Sequence, residues 1–314
     1  MLLLFFAAVN LFIVSRLCQL FQQADAAAVV YAQGEVPEKV LTQLVRENKS
    51  NSMFSEAALW KQEGKASVSA KGTGRAQTVS VYRMAGQQSA VFGKGLWAGR
   101  YFMSGESSVC LIDRETIRTL FGSEDVLGMK VRWKDTQLEI VGILEGGQPL
   151  CMIPGKDGDA YDGIAVRKVK GTVSSGNAFG VLEATTGAVG QQRIDGQLYY
   201  MTACIFYFLF LVILLLTEGV RLRRNRVIVA MCVLLAAEVL ILGINFASPG
   251  SDYLPSYWSD FEFFVQLFKE KRLQVQELLH HQEFAPWQTM AGAWQQAIAA
   301  EMIMGMLGGY LSSR

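Results

Sequence analysis

Apolar residues fall into two regimes along this chain. Residues 1–20, 198–216, 227–246 and 290–311 are long, nearly unbroken apolar runs, whereas residues 23–196 show only short runs and alternations. A helix crossing a hydrocarbon core of ~30 Å needs about 20 apolar residues, so the first three runs read as membrane spans. The fourth carries Gln295, Gln296 and Glu301 but is rich in Ala, Gly and Met, a composition suited to close helix packing. It reads as a fourth span, with an interfacial helix as the alternative. Ala24-Asp25-Ala26 resembles a small-residue cleavage site, but Arg16 and the length of the first run favour an uncleaved first helix.

Within the polar region, Val36, Val40, Leu41, Leu44 and Val45 recur at helical spacing over residues 35–47, and residues 55–60 read as a further helical turn. Residues 66–70 and 78–83 alternate and predict two strands around Gly72-Thr73-Gly74. Residues 109–112 predict a strand. Asp113 is placed to cap a helix over 114–121, with Glu115 in its first turn and Gly122 past its end. Residues 129–133 and 138–144 predict a hairpin around Lys134-Asp135. Val109, Leu111, Ile117, Leu120, Phe121, Leu127, Val131, Ile140 and Val141 are the expected core of this unit. Residues 151–154, 164–169 and 179–185 predict further strands, and 187–196 a linker. The region is α+β with strands dominating. Residues 259–279 predict an amphipathic helix, with Lys269, Glu270, Lys271 and Arg272 on or near its polar face, resting on the outer module or the membrane surface.

Charge orients this arrangement. The stretch EGVRLRRNR, residues 218–226, holds four arginines between two apolar runs, and a short basic loop stays cytoplasmic. The expected organisation is therefore a first span at 1–22, an extracytoplasmic module at 23–196, a span at 197–217, a cytoplasmic loop at 218–226, and a span at 227–247. An extracytoplasmic segment at 248–288 and a fourth span at 289–311 complete it. A net charge of +1 argues against a nucleic-acid binder. The five cysteines, Cys18, Cys110, Cys151, Cys204 and Cys232, show no C-x-x-C spacing, and a Cys110–Cys151 bridge stays open.

The stretch from residue 99 to 144 resembles a known family. GRYF, VCLIDRETIRTLFGSEDVLGMKV and LEIVGIL resemble, in that order, the signature of the MacB-type periplasmic core domain of FtsX-like ABC transporter permeases. The resemblance implies an α+β extracytoplasmic module inserted between the first and second of about four transmembrane helices. It also implies a separate cytoplasmic ABC ATPase partner, a homo- or heterodimer of permease subunits in membrane lipid, and mechanical transmission from ATPase to outer module. A second hypothesis is a membrane-anchored binding or scaffold protein without a motor.

No cofactor, metal site or catalytic set is expected. His280 and His281 are neighbours in an amphipathic helix, and Gly72–Arg75 and Gly155–Gly158 lack the spacing that cradles phosphate. Asp113, Glu115, Glu124 and Asp125 are explained by capping and turn chemistry. Two groups of residues remain as candidates. Glu218, Arg221, Arg223, Arg224 and Arg226 would face the ATPase, with a purely topogenic loop as the alternative. Arg16, Glu238 and Glu301 would lie within spans, where a charge costs at least ~2.5 kcal/mol and needs a partner. Pairing of Arg16 with Glu238 or Glu301 is one reading, and a protonated carboxyl bonded to nearby backbone is the other.

Overall fold

The computed structural model describes residues 2–219, 261–280 and 285–312, apart from 33, 73, 93–94, 146–147, 157 and 170–174. The chain divides into two compact units, Ala26–Ile194 and the combination of Met1–Asp25 with Asp195–Arg314.

The first of these is built on a ten-stranded sheet. Its spine is a long hairpin, β3 (Phe54–Ala70) and β4 (Ala76–Gly86). The alternation over 66–83 predicts this hairpin's distal half. Residues 55–60, expected as a helical turn, instead form its proximal half. Ala57, Ala58, Leu59 and Trp60 are buried on both faces there, and a short, fully buried apolar run does not reveal its period. Register shifts between Gln62 and Gly64, bulging the strand where Gly64 takes φ +88°.

Beyond this bulge the sheet closes on itself. From β4 it passes to β9 (Leu150–Pro154), β6 (Val109–Asp113), β8 (Thr136–Leu144) and β7 (Lys130–Trp133), and β7 returns to pair with β3. Closure leaves this part of the sheet without a free edge. Its interior holds Val68, Val79, Val81, Cys110, Ile112, Val131, Trp133, Ile140, Cys151 and Ile153, with Ile117 and Leu120 of α4 (Arg114–Phe121). The unit from 99 to 144 thus does not close its own core but shares one with β3, β4 and β9. Leu127, expected inside, is 46% exposed. β5 (Leu96–Gly99) extends the sheet beyond β8.

The proximal half of β3 serves a second core. There β11 (Gly163–Lys168) and β1 (Ala26–Val30) continue the sheet, and β12 (Gln192–Asp195) pairs with β1. The expected linker at 187–196 is therefore partly sheet, and Gln191 N donates to Val30 O at 2.7 Å. Helices α2 (Lys39–Asn51) and α5 (Ser175–Thr186) supply Val40, Leu44, Ala178, Phe179 and Leu182 to this core. Residues 179–185, expected as a strand, lie in α5. Ala178, Phe179 and Leu182 share one buried stripe at helical spacing, which the short apolar run disguises. Helix α2 starts later than expected, because Val36–Pro37 form a short strand, β2, paired with β10 (Ala160–Tyr161). A four-residue helix, α3 (Ser89–Phe92), follows β4.

The second unit contains α1 (Leu2–Gln22), α6 (Gly196–Gly219), α7 (Phe261–His280) and α8 (Ala285–Ser312). Helices α1, α6 and α8 pack on one another. Tyr207 donates to Asn10 Oδ1 at 2.7 Å, and Trp294 Nε1 donates to Thr202 Oγ1 at 2.9 Å. Three expected spans thus coincide with helices, while the expected span at 227–247 lies outside the described residues. Among the described residues, no helix is long and apolar enough to cross a membrane. Along α7, Val265, Phe268 and Leu273 are exposed.

Candidate binding groove

A depression in the core unit, about 920 Å³, is assembled from four separate chain segments. Helix α2 contributes Leu41, Val45, Arg46 and Lys49. Val40 and Leu44 point into the core, so the adjacent stripe of the helix is left to line the groove. The end of β4 contributes Met84 and Gly86. Gly86 has φ +90°, and a Cβ there would lie 2.6 Å from Ala57 O and 2.9 Å from Leu41 Cδ2. Only glycine lets the strand leave the sheet this close beneath α2. The end of β9 contributes Pro154 and Lys156, and Gly155 N donates to Met84 O at 2.7 Å.

The fourth segment is the loop 102–107, pinned from both sides. Buried Gln88 donates through Nε2 to Gly86 O at 2.6 Å and to Phe102 O at 3.4 Å, tying groove floor to loop. Glu106 accepts two hydrogen bonds from Arg100, at 2.6 and 2.9 Å, and one from Met103 N at 2.8 Å. The Arg100 guanidinium, helped by the Met103 amide, holds the Glu106 carboxyl down at about 2. That carboxylate is consequently neutralised within its own loop. Of the remaining charged groups lining the groove, Glu38 is the one anion, against Arg46, Lys49 and Lys156. Among the described residues none of these three cations is in an ion pair. The lining thus combines apolar walls (Leu41, Val45, Met103), above the buried Met84 and Phe102, with uncompensated positive charge.

The residues singled out from sequence lie elsewhere. Arg221, Arg223, Arg224, Arg226 and Glu238 are outside the described residues, and Glu218 belongs to the last turn of α6. Arg16 donates to Gln19 Oε1 at 3.0 Å and its guanidinium sits 4.8 Å from the Phe12 ring centre, both on its own helix. Glu301 is only 3% exposed, and neither carboxyl oxygen has a hydrogen-bond partner among the described residues. Cys110 and Cys151 are free thiols inside the closed sheet. A hydrogen bond between the Cys110 thiol and Cys151, and then burial, push the Cys110 thiol well up. Asp113 and Glu124 have structural partners. Asp113 caps α4, and Glu124 accepts from Arg114 and Arg118 at 2.7 and 2.6 Å. Arg46, Lys49, Met84 and Met103 did not stand out in sequence, Phe102 entered only as part of the GRYF motif and Lys156 only within the Gly155–Gly158 turn, because no local pattern joins segments so far apart.

The model of the MacB-like periplasmic core domain family matches residues 6–189, more than half of the chain. The chain belongs to that family. Similar solved structures include the periplasmic region of MacB from Actinobacillus actinomycetemcomitans, at 14% identity and a TM-score of 0.46, covering 57% of this chain and 92% of that one. The extracellular domain of the noncanonic ABC-type transporter YknZ from Gram-positive bacteria is also similar, at 16% identity and a TM-score of 0.39, covering 54% and 97%. No curated protein matches the chain. The groove therefore lies within the MacB-like periplasmic core domain.

Proposed function

We propose that this protein is the membrane subunit of an ABC transporter of the FtsX/MacB type, acting as a lever. A separate cytoplasmic ATPase closes on nucleotide, the helices transmit that closure, and the MacB-like core outside the membrane moves to export or release a substrate. The observation that carries this reading is the family match over residues 6–189, followed in sequence by the apolar run at 198–216 and the arginine cluster at 221–226. In this reading the runs at 1–20, 198–216, 227–246 and 290–311 span the membrane, residues 23–196 are extracytoplasmic, and Glu218 with the four arginines faces the ATPase. Two copies, or one copy and a related subunit, would surround the ATPase pair. Arg16, Glu238 and Glu301 would provide polar contacts within the bundle.

The test is affinity purification of the full chain from its native membrane. Stoichiometric recovery of a Walker-motif ATPase supports the lever, and its reproducible absence overturns it. A groove able to take a ligand without any motor favours the second reading, a membrane-anchored extracytoplasmic binding protein. Protease added to intact cells tests the topology common to both. A core that stays uncleaved until the membrane is opened refutes both at once.

A further inference from the structure

We propose that the groove between α2 and the loop 102–107 binds a single-chain anionic amphiphile, a long-chain carboxylate of the fatty-acid class. Its capacity, about 920 Å³, lies within the ~300–1,000 Å³ of sites that take small molecules. The lining divides as such a ligand requires. Leu41, Val45 and Met103 offer apolar surface for a chain above the buried Met84 and Phe102, and the flexible thioether of exposed Met103 adapts to a chain of variable conformation. Arg46 and Lys49, three residues apart on α2, stand on one helix face. Together with Lys156 they give a cationic rim for the head group.

The charge balance excludes a cationic amphiphile. Of the two lining carboxylates, Glu106 is already held by Arg100 and Met103 N. Glu38 alone then opposes three cations that have no ion-pair partner among the described residues. The site does not depend on an ATPase, so this inference stands or falls separately from the lever.

The experiment uses the full chain in phosphatidylcholine nanodiscs. Palmitic acid carrying an ω-diazirine, and its methyl ester, are photolysed in parallel, and labelled peptides are mapped by mass spectrometry. The acid is expected to label the peptides bearing Leu41–Val45, Met84 and Met103 in clear excess over the ester. Combined Arg46→Glu, Lys49→Glu and Lys156→Glu substitutions are expected to cut that label roughly tenfold, leaving label on α1 and α6 unchanged. All three side chains are exposed, so the charge-reversed chain keeps its core. A second variant, Thr42→Trp, fills the groove from an exposed helix position and is expected to remove the label without any change of rim charge. Absence of groove label, equal labelling by acid and ester, or label insensitive to either variant would overturn the proposal. Displacement of the label by hexaglutamate but not by unlabelled palmitate would overturn it too, assigning the groove to acidic peptides.

Discussion

Asp113 holds two elements with one carboxylate, and the two functions can be separated. Its Oδ1 accepts from Thr116 N at 2.9 Å and caps α4, while its Oδ2 accepts from Leu150 N at 2.8 Å, where β9 begins. Asp113 is 2% exposed and Thr116 is fully buried, while Leu150 is partly exposed. Loss of an N-cap costs ~1 kcal/mol, and a buried amide left unsatisfied costs about 1–3 kcal/mol. Asp113→Ala should therefore lower unfolding stability by about 2–4 kcal/mol. Asp113→Ser keeps a capping oxygen but cannot reach Leu150, so it should lose about 1–3 kcal/mol and retain the cap. Urea unfolding of the full chain, followed by tryptophan fluorescence, gives the order wild type, Ser, Ala. Amide exchange separates the causes: Leu150 should exchange faster in both variants, and Thr116 only in Ala. A Ser variant as stable as wild type would show that the bond to β9 contributes nothing. If the Ala variant were equally stable, the capping argument would fail as well.

Other predictions follow from close packing and charge. In Gly163→Ala the new methyl would lie 2.5 Å from Cε2 and Cζ2 of the fully buried Trp60. It should cost ~1–3 kcal/mol in the same urea assay, and an unchanged midpoint would mean the indole moves freely. The Glu106 carboxyl, ordinarily at 4.5, is held at about 2. Its folded value is depressed, so its contribution is present above pH 4.5 and is lost as pH falls towards 2. The Met103 amide should therefore keep its chemical shift down to about pH 3, and Arg100→Ala should move the transition towards the ordinary value. Cys110 and Cys151 are both fully buried, so a maleimide should modify neither in the folded protein and both in urea. Modification of either at the rate of free cysteine in the folded state would show that the closed sheet opens readily.

Several local features of this protein are legible from residues in sequence. Asp113 before Arg114–Phe121 and Gly122 after it delimit α4, because a cap needs only one side chain and the amides three residues away. The turn at Lys134-Asp135 and the distal β3–β4 hairpin follow likewise from alternation and turn chemistry over about ten residues. The family resemblance rests on the same local stretch. By contrast, residues 55–60 and 179–185 exchange helix for strand against expectation, because a short apolar run has no period of its own. Its state is set by what covers it: β11 and β4 flank the first, and the second core takes one stripe of the other.

Closure of the sheet by β7 on β3, and assembly of the groove from α2, two strand ends and a loop, belong to the tertiary structure alone. Both join segments dozens of residues apart, and no periodicity along the chain encodes such a meeting. Local sequence determines where the backbone turns, caps and alternates. Burial of those faces against one another decides which apolar stripe becomes core and which is left to line a groove.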